Sequence, residues 1–363
     1  MEPIRKLNLR LFDDAGSLVN TTIGYRNAYT GALTPFSTGT DDLTPTMKTY
    51  YKTGMLKNAR PKLVYAQLGK KQALPSRNGR TVEWRKVNTL PDVPELTEGV
   101  IPVGEKGGMT AITVSLTQYG MYVAISDLLE LHATDPILTE YSEELGATGG
   151  KTNDKLVRNV LLAGTNILFA DAYNGTTYAS KPSTKAELLY ALNTSHYTCD
   201  LTPDMINQGK TILESQDVPA FDDGCYVMVI HPHVAYSIRK HPDFQEAVKY
   251  QAAKRIFRGE IGELWGVRFL VTTQAPIIKG SDDGCATYKS MMFGKDAFGV
   301  IDVEGGGMET IYMDREKIGG PLKQFSTIGI KFEMAAKILY QERMLTIWSG
   351  AKNFQDTAVP NVA

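Results

Sequence analysis

Residues 81–125 read TVEWRKVNTLPDVPELTEGVIPVGEKGGMTAITVSLTQYGMYVAI. Polarity alternates through residues 81–87, which predicts a strand, and residues 112–125 predict a second strand with a change of register near Thr117–Tyr119. The connection between them, residues 88–111, contains three prolines and four glycines. Irregular connections longer than about 12–15 residues are uncommon inside compact domains. We therefore predict a hairpin arm that projects from the body of the protein and rests on another surface.

The region after the hairpin predicts one long helix over residues 137–163. Asp135 and Pro136 suit the cap and the first turn of this helix. At 1.5 Å per residue the helix would be about 40 Å long, far above the average length. One face of the helix carries apolar or small residues at every third or fourth position: Ile137, Tyr141, Leu145, Thr148, Thr152, Leu156, Val160 and Ala163.

The remainder of the chain predicts a mixed α/β unit followed by a final hairpin. Residues 326–340 alternate strictly, and a turn at Gln341–Arg343 leads into another strand, MLTIW. The tail after Ser349 is expected to be loose. Earlier elements are predicted helices at 203–216 and 241–257 and predicted strands at 225–232, 267–272 and 291–301. The fold class is therefore α+β.

The first 50 residues are rich in Thr, Gly, Asn and Pro and show no lasting helical or strand periodicity. Such a segment buries too little surface to offset an ordering entropy of about 1–2 kcal/mol per residue. Two interpretations remain open: a floppy tail, or an arm that becomes ordered on a neighbouring subunit.

Composition argues against several classes of protein. The 363 residues are 42% hydrophobic, and 39 Lys and Arg nearly balance 40 Asp and Glu, leaving a formal net charge of -1. Proteins whose main task is to grip nucleic acid usually carry a basic excess. The three cysteines, Cys199, Cys225 and Cys285, lie far apart and predict a reducing compartment rather than a disulfide scaffold. Arg5 and Lys6 interrupt the N-terminal apolar residues, so we expect neither a signal peptide nor a membrane span.

No motif in the sequence supports catalysis, a cofactor or a metal. GGKT at 149–152 lacks the earlier glycine of a phosphate-binding loop, because that position is Leu145. Gly305–Gly307 lacks the spacing of a dinucleotide fingerprint. His231 and His233 could share a metal but have no acidic or cysteine partner at ligand spacing, so capping of a strand end is expected instead. No recognisable catalytic triad is present. Two acidic pairs, each followed by glycine, fit turns: Asp222-Asp223 and Asp282-Asp283.

Positive charge concentrates between residues 239 and 258. A solvated helix face is the simpler interpretation, and a subunit contact or a face towards nucleic acid is the alternative. The residues are Arg239, Lys240, Lys249, Lys254, Arg255 and Arg258.

Eight phrases in order resemble the major capsid proteins of the N-four-type family of tailed phages, and they cover most of residues 20–350. They are LTPTMKTYYKTGMLKNARPKLVYAQLGKKQALP, TVEWRKVNTL, LTEGVIPVG, VAISDLLELHATDPIL, TNDKLVRNVLLAGTN, GELWGVRFLVTTQAP, FGKDAFGVI and IGIKFEMAAKIL. The order of elements resembles the Hong Kong 97-like capsid fold, which has an N-arm, an E-loop hairpin, a spine helix with P-domain strands, and a mixed α/β A-domain.

The resemblance implies a division of the chain and a set of contacts between subunits. Its parts would be the N-terminal arm at 1–50, a connection at 51–80, the E-loop hairpin at 81–125, the P-domain with spine helix at 126–200, the A-domain at 201–320, the P-domain C-terminal hairpin at 321–350 and a tail at 351–363. The candidate interface residues are Pro91, Pro94, Glu98, Pro102, Lys106, Met109, Tyr25, Tyr29 and Phe36.

The resemblance also implies partners and a location. Copies of the chain would form hexamers and pentamers of a virion shell, assembled in the host bacterial cytoplasm, around non-specifically held double-stranded DNA. Portal, scaffold and decoration proteins would be further partners, and no membrane is involved. The best-known member of the fold joins an E-loop lysine to an asparagine. Lys106 is the lysine near the loop tip, but no partner can be assigned, so we expect no crosslink.

Two alternatives stay open at the level of sequence. An encapsulin-like compartment shares the fold but encloses cargo enzymes. A soluble α/β enzyme with an unrecognised site would instead be a monomer with a small-molecule ligand.

Overall fold

A computed structural model describes residues 24–26, 33–35, 63–75, 79–93, 95, 98, 104–132, 137–175, 177–249, 262–279, 285–303, 308–318, 322–355 and 358–362. The helices are α1 (Tyr65–Leu68), α2 (Asp127–His132), α3 (Ile137–Leu161), α4 (Lys185–Asn193), α5 (Pro203–Ser215), α6 (Pro232–Lys240), α7 (Pro242–Lys249) and α8 (Arg315–Ile318), with a 3-10 turn at Lys352–Phe354.

The strands follow the same chain order. They are β1 (Gly24–Arg26), β2 (Leu33–Pro35), β3 (Lys70–Leu74), β4 (Thr81–Val87), β5 (Met109–Ser115), β6 (Thr117–Ser126), β7 (Ile167–Phe169), β8 (Ala172–Asn174), β9 (Thr177–Ser180), β10 (Tyr226–Ile230), β11 (Glu263–Leu264), β12 (Val267–Val271), β13 (Ile277–Ile278), β14 (Thr287–Phe293), β15 (Phe298–Val303), β16 (Glu309–Met313), β17 (Phe325–Ile338) and β18 (Met344–Ser349).

The chain forms two compact units. The smaller unit comprises Met1–Ala59, Gly120–Ala147 and Glu309–Lys331, and the larger comprises Arg60–Tyr119, Thr148–Met308 and Phe332–Ala363. Three elements, α3, β6 and β17, are continuous through the boundaries between these segments.

A mixed seven-stranded sheet organises the larger unit, in the order β11-β12-β10-β14-β18-β7 with β13 paired to β14. β10 runs parallel to β12 and antiparallel to β14. Every residue of β10, β14 and β18 is buried, because helices cover both faces of the sheet. Met228 and Ile347 pack with α4, α5 and α6 on one face, whereas Val229 and Met344 pack with α3 on the other.

The predicted long helix is confirmed as α3, Ile137–Leu161. Its predicted apolar face packs inward, since Leu145 is buried and Leu156 and Val160 are partly buried against a core cluster. The fully buried side chains of the second half lie beside this face, at Asp154, Val157, Arg158 and Leu161. A search for apolar periodicity misses Asp154 and Arg158, because they are charged.

The smaller unit packs α3 and α2 against β6 and β17. Its core consists of Ile125, Leu129, Leu145, Ile328 and Ile330. β16 extends this sheet, with Ile311 opposite Gly329. At Gly329 the neighbouring strand approaches closely, since an added Cβ would lie 2.9 Å from the Met121 carbonyl oxygen. Alternation along β17 is confirmed, with buried residues at even positions from Ile328 to Ala336.

The second strand of the projecting hairpin is broken into two. β5 begins at Met109 rather than residue 112, so the irregular connection is residues 88–108. The predicted change of register occurs at Leu116, which is buried between β5 and β6. Its N–H donates to the carbonyl oxygen of Arg80 at 2.9 Å, and its carbonyl oxygen accepts from Arg80 Nε at 2.8 Å.

The final hairpin was predicted wrongly. A turn does follow β17, where the Met344 N–H donates to the Gln341 carbonyl at 3.3 Å. However, β18 pairs with β14 and β7 in the seven-stranded sheet, while β17 pairs with β16, β15 and β6. The physical reason lies in burial: β18 is covered on both faces and takes an interior position in the sheet. The strand predicted at 291–301 is likewise two strands, β14 and β15, in different sheets.

The tail after Ser349 is not loose where the structure describes it. Ala351 and Ala358 are buried. The Ala286 N–H donates to Gln355 Oε1 at 2.6 Å, and the Lys352 N–H donates to Asp200 Oδ1 at 2.9 Å. The tail therefore belongs to the folded body.

Other predicted elements are confirmed with small changes of boundary. The helix at 203–216 is α5, capped by Thr202, whose hydroxyl accepts from the Met205 N–H. The helix predicted at 241–257 is described as α7, Pro242–Lys249, and residues 250–257 lie outside the described residues. In the N-terminal segment, β1 and β2 form an antiparallel pair.

Candidate assembly surfaces

β4 and β5 form a two-stranded antiparallel ribbon, which we call the arm together with its connection, residues 88–108. Thr81 is opposite Ser115 at one end and Val87 is opposite Met109 at the other. The Asn88 N–H donates to the Gly108 carbonyl at 3.0 Å and extends the ribbon by one step. An isolated two-stranded ribbon is marginally stable in water, so the arm needs support from another surface.

The base of the arm has that support from its own chain. Val82 and Leu116 pack with Ile301 of β15 and Ala335 of β17 in a small buried cluster. Trp84 adjoins the same cluster and lies over Gly299, where an added Cβ would stand 2.8 Å from the Trp84 Cζ2 atom. Only glycine at position 299 allows the indole to approach the strand this closely.

Charged contacts surround the base. Lys86 Nζ lies 2.9 Å from Glu342 Oε1 and 4.3 Å from the centre of the Tyr340 ring. The Arg343 guanidinium lies 3.9 Å from the same ring. These groups are partly exposed, so each contact stabilises the base by about 1 kcal/mol or less.

The distal end of the arm is apolar and exposed. The exposed fraction is 65% for Val87, 70% for Met109 and 92% for Val93, and Leu90 is also exposed. Grouped exposed apolar side chains mark sites of interaction with other proteins. The arm therefore has an anchored base and an uncovered tip.

The tip is also acidic. Asp92, Glu95, Glu98 and Glu105 are exposed, and Lys106 is exposed beside them. Four carboxylates against one ammonium make this projection a poor surface for phosphates.

The predicted interface residues fall into two groups. Pro91, Glu98, Lys106 and Met109 lie exposed on the arm, and Tyr25 lies in β1. The remaining four lie outside the described residues: Pro94, Pro102, Tyr29 and Phe36.

The histidine pair forms a packed cluster at the start of α6. His231 caps this helix through Nδ1, which accepts from the His233 N–H at 3.2 Å. His233 Nδ1 lies 2.8 Å from the Tyr288 hydroxyl, and its ring stacks on Phe354 at 4.4 Å. Burial lowers the pKa of His231 to about 4 and lowers that of His233. The predicted capping of a strand end is therefore corrected: His231 caps the start of α6, which directly follows β10, and His233 donates its backbone N–H to that cap.

Other candidate motifs have structural roles where they are described. GGKT at 149–152 lies inside α3. Asp222 and Asp223 lie in a turn and pair with Lys295 and Arg268. Asp282-Asp283 and Gly305–Gly307 lie outside the described residues. Among the described residues, no group of three or more metal-ligating side chains is present.

The basic cluster is described in part. Arg239 and Lys240 end α6, Arg239 Nε donates to the Ala235 carbonyl at 3.2 Å, and Lys249 ends α7. Lys254, Arg255 and Arg258 lie outside the described residues. No helix in the described part of the chain has the length and apolar character needed to cross a membrane.

Sequence reasoning missed the buried charges of α3. Asp154 and Arg158 are almost fully buried on one side of the helix. The Val64 and Ala66 N–H groups donate to Asp154 Oδ1, and Arg158 Nη1 and Nη2 donate to the carbonyls of Gln274 and Asn361. The i, i+4 spacing of opposite charges was the available signal, but it is equally typical of an exposed helix face.

Solved phage capsid structures are similar to this chain in fold. The capsid of Ralstonia phage GP4 matches with a TM-score of 0.60 and 15% identity, over 90% of this chain and 100% of that chain. The capsid of cyanophage P-SCSP1u matches with a TM-score of 0.63 and 13% identity, over 89% and 98%. A chain of Mycobacterium phage Che8 matches with a TM-score of 0.58 and 13% identity, over 85% and 97%. The expected Hong Kong 97-like fold, the fold class of phage capsid proteins, is confirmed.

A family comparison identifies the chain more directly. Residues 110–337 match the model of a phage capsid protein family. The match covers more than half of the chain, so the chain belongs to the phage capsid protein family. No curated protein matches it. The chain is a phage capsid protein, a structural shell subunit rather than an enzyme, and it acts by associating with copies of itself in the capsid.

Proposed function

We propose that residues 88–111 of the arm lie across a neighbouring subunit and form the lever through which subunits join into hexamers and pentamers of an icosahedral shell. The observation that carries this proposal is the contrast between its ends. Val82 and Leu116 are buried at the base, whereas Val87, Val93 and Met109 are exposed at the tip. Burial of apolar surface contributes about 25 cal/mol per Å², and many such contacts sum over a closed shell.

The remaining interface residues extend the same proposal. Residues 1–50, with Tyr25, Tyr29 and Phe36, would run beside or beneath other subunits. Residues 203–300 would meet their copies around the symmetry axes. The proposed division into N-terminal arm, E-loop hairpin, P-domain and A-domain keeps its bounds. The exception is the C-terminal hairpin at 321–350, because β18 belongs to the seven-stranded sheet.

The shell would enclose double-stranded DNA without sequence-specific contacts, as the near-zero net charge of -1 suggests. Portal, scaffold and decoration proteins complete the proposed set of partners. Assembly would take place in the host cytoplasm.

Deletion of residues 92–108 tests the lever. The deletion keeps the Val87–Met109 pair and leaves a four-residue connection, so the base should fold as before. We expect a soluble subunit with unchanged circular dichroism that forms no shells in negative-stain microscopy. A flexible Gly/Ser linker of the original length serves as the second variant, because it restores the length of the loop without its side chains. It should fail in the same way.

Normal shells from both variants would overturn the lever. Shells from the linker variant alone would show that loop length matters and side chains do not, which also contradicts contact through Val93. The compartment alternative predicts shells that hold cargo protein and no DNA. Nuclease-resistant DNA in shells purified from infected cells would exclude it.

A further inference from the structure

The segment Leu63–Ala66 is fastened to α3 by a buried carboxylate. Asp154 Oδ1 accepts the Val64 N–H and the Ala66 N–H, each at 3.1 Å. The exposed fraction of Asp154 is 0%. One oxygen therefore satisfies two backbone donors at the point where the described body begins.

Side chains of the same segment fit against the turns on either side of Asp154. Tyr65 is fully buried and packs in one cluster with Val157 and Leu161. At Gly150 an added Cβ would lie 2.9 Å from Leu63 Cδ1. Four residues of α3 thus contact the segment Leu63–Ala66, and we call them its seat: Gly150, Asp154, Val157 and Leu161.

One turn further along, Arg158 fastens the other end of the chain. Its Nη1 donates to the Gln274 carbonyl at 2.9 Å, and its Nη2 donates to the Asn361 carbonyl at 3.1 Å. Asp154 and Arg158 compensate each other's charge, while each directs its hydrogen bonds to a different segment.

Buried charges are a weak source of stability, because desolvation offsets much of the attraction between them. Burial raises the pKa of Asp154, against the opposing effect of its backbone hydrogen bonds and Arg158. An apolar side chain at position 154 could fill similar space, but it could not accept two N–H groups. The gain from Asp154 is therefore a defined position for residues 63–66.

We propose that Asp154 is a positioning residue that holds residues 63–66 on α3, so that the N-terminal segment that precedes them reaches a neighbouring subunit from a fixed place. The reach to a neighbouring subunit rests on the proposed assembly function. The position of residues 63–66 concerns the single subunit and can be tested without shells.

Limited trypsin digestion of the full-length subunit measures how firmly α3 holds residues 63–66, through the rate of cleavage after Lys62. Lys62 precedes Leu63 and offers a cleavage point at its edge, whereas the Arg60-Pro61 bond resists trypsin. In Asp154→Ala, cleavage after Lys62 should be roughly tenfold faster than in the wild type, because the two amides lose their acceptor. In Asp154→Asn, one acceptor oxygen remains, so the rate should stay within about threefold. The fragment that begins at Leu63 is identified by mass spectrometry.

Leu213→Ala is the matched control. Leu213 is buried in α5, in the cluster on the other face of the seven-stranded sheet, so the change removes apolar volume from the larger unit but leaves the contacts of residues 63–66 in place. It should lower the melting temperature about as much as Asp154→Ala, because a buried Leu→Ala cavity and an uncompensated Arg158 each cost a few kcal/mol, with little change in cleavage after Lys62. Shell yield should fall at least tenfold in Asp154→Ala and remain near wild type in Leu213→Ala and Asp154→Asn.

Equal cleavage rates for Asp154→Ala and wild type would overturn the positioning role, as would equal acceleration in Leu213→Ala. Faster cleavage with an unchanged shell yield would overturn the role in assembly. If the wild-type chain formed no shells, the proposed assembly function would fail, and the cleavage rates would still decide whether Asp154 positions the segment.

Discussion

The indole of Trp84 lies over Gly299 so closely that a Cβ atom added to Gly299 would stand 2.8 Å from Cζ2 of the ring. Gly299 belongs to β15, and Trp84 belongs to the first strand of the arm. The position of the arm therefore depends on the glycine at position 299 of β15, because any side chain there would push the Trp84 indole away from the strand.

Substitution of this glycine should therefore disturb the arm. We expect Gly299→Ala to lower the free energy of unfolding by about 1–3 kcal/mol, the usual cost of forcing extra volume into a packed site. Urea unfolding measures the loss. Gly104→Ala is the control, since an added Cβ there meets nothing within 4 Å, and it should change the free energy by less than about 0.5 kcal/mol. Equal stability of the two variants would contradict the finding.

The polar contacts at the base of the arm should matter less than the apolar ones. The Lys86–Glu342 pair is partly exposed, so a double-mutant cycle with alanine should give a coupling below about 1 kcal/mol that shrinks in high salt. Val82→Ala, in the buried cluster of the base, should cost about 2 kcal/mol and be insensitive to salt. The prediction is contradicted if the Lys86–Glu342 coupling energy resists salt and exceeds the loss of unfolding free energy in Val82→Ala.

Acid should weaken the folded subunit through His231. Its pKa lies at about 4 in the fold, against an ordinary value of 6.5, because burial and His233 oppose its charge. Below the ordinary value the unfolded chain takes up the proton first, so unfolding becomes easier as the pH falls through this window, by up to about 3 kcal/mol.

Asn at position 231 keeps a helix cap and removes this titration. The free energy of unfolding in urea should therefore fall less in His231→Asn than in wild type when the pH is lowered from about 7.5 to about 4.5. His233 contributes in the same direction in both proteins if its pKa stays lowered. Identical pH dependence of the two proteins would rule out His231 as the cause.

The C-terminal tail should contribute measurably to stability. Ile277 N–H donates to Asn361 Oδ1 at 2.9 Å, and Asn361 Nδ2 donates to the Ala275 carbonyl at 2.9 Å. Asn361→Ala leaves these groups without partners and should cost about 1–3 kcal/mol in thermal or urea unfolding. Val359→Ala in the same tail is the control, because Val359 is 75% exposed, and it should be close to neutral. If Asn361→Ala left the free energy of unfolding unchanged, the result would contradict a bound tail and favour the loose tail expected from the sequence.

Local pattern was sufficient for most individual elements. The alternation of 81–87, the apolar recurrence of 137–163 and the strict alternation of 326–340 each predicted the element that the structure contains. The proline and glycine content of the connection predicted an irregular segment between two strands, and residues 88–108 include that segment. These signals depend only on neighbours in sequence, so they can be read without the fold.

The candidate site was predicted in outline only. Pro91, Glu98, Lys106 and Met109 are exposed, and their role as interface residues stays a prediction. The anchoring residues Val82, Trp84 and Leu116 were not predicted, because their partners in β15 and β17 are more than 180 residues away in sequence. Glycine 299 gave no signal of its own, since its role exists only when the indole lies above it.

The sequence by itself therefore determined where the chain forms helices, strands and a projecting arm, because hydrogen bonding and apolar periodicity within each element act over a few residues. Tertiary structure alone decided that Met344–Ser349 pairs with β14 and β7, that Asp154 and Arg158 are buried, and that the tail is bound to the body. The physical reason is that local sequence indicates whether a strand or a charged side chain requires burial or hydrogen-bond partners. The residues that supply those contacts are distant in sequence, so only the complete fold brings them together.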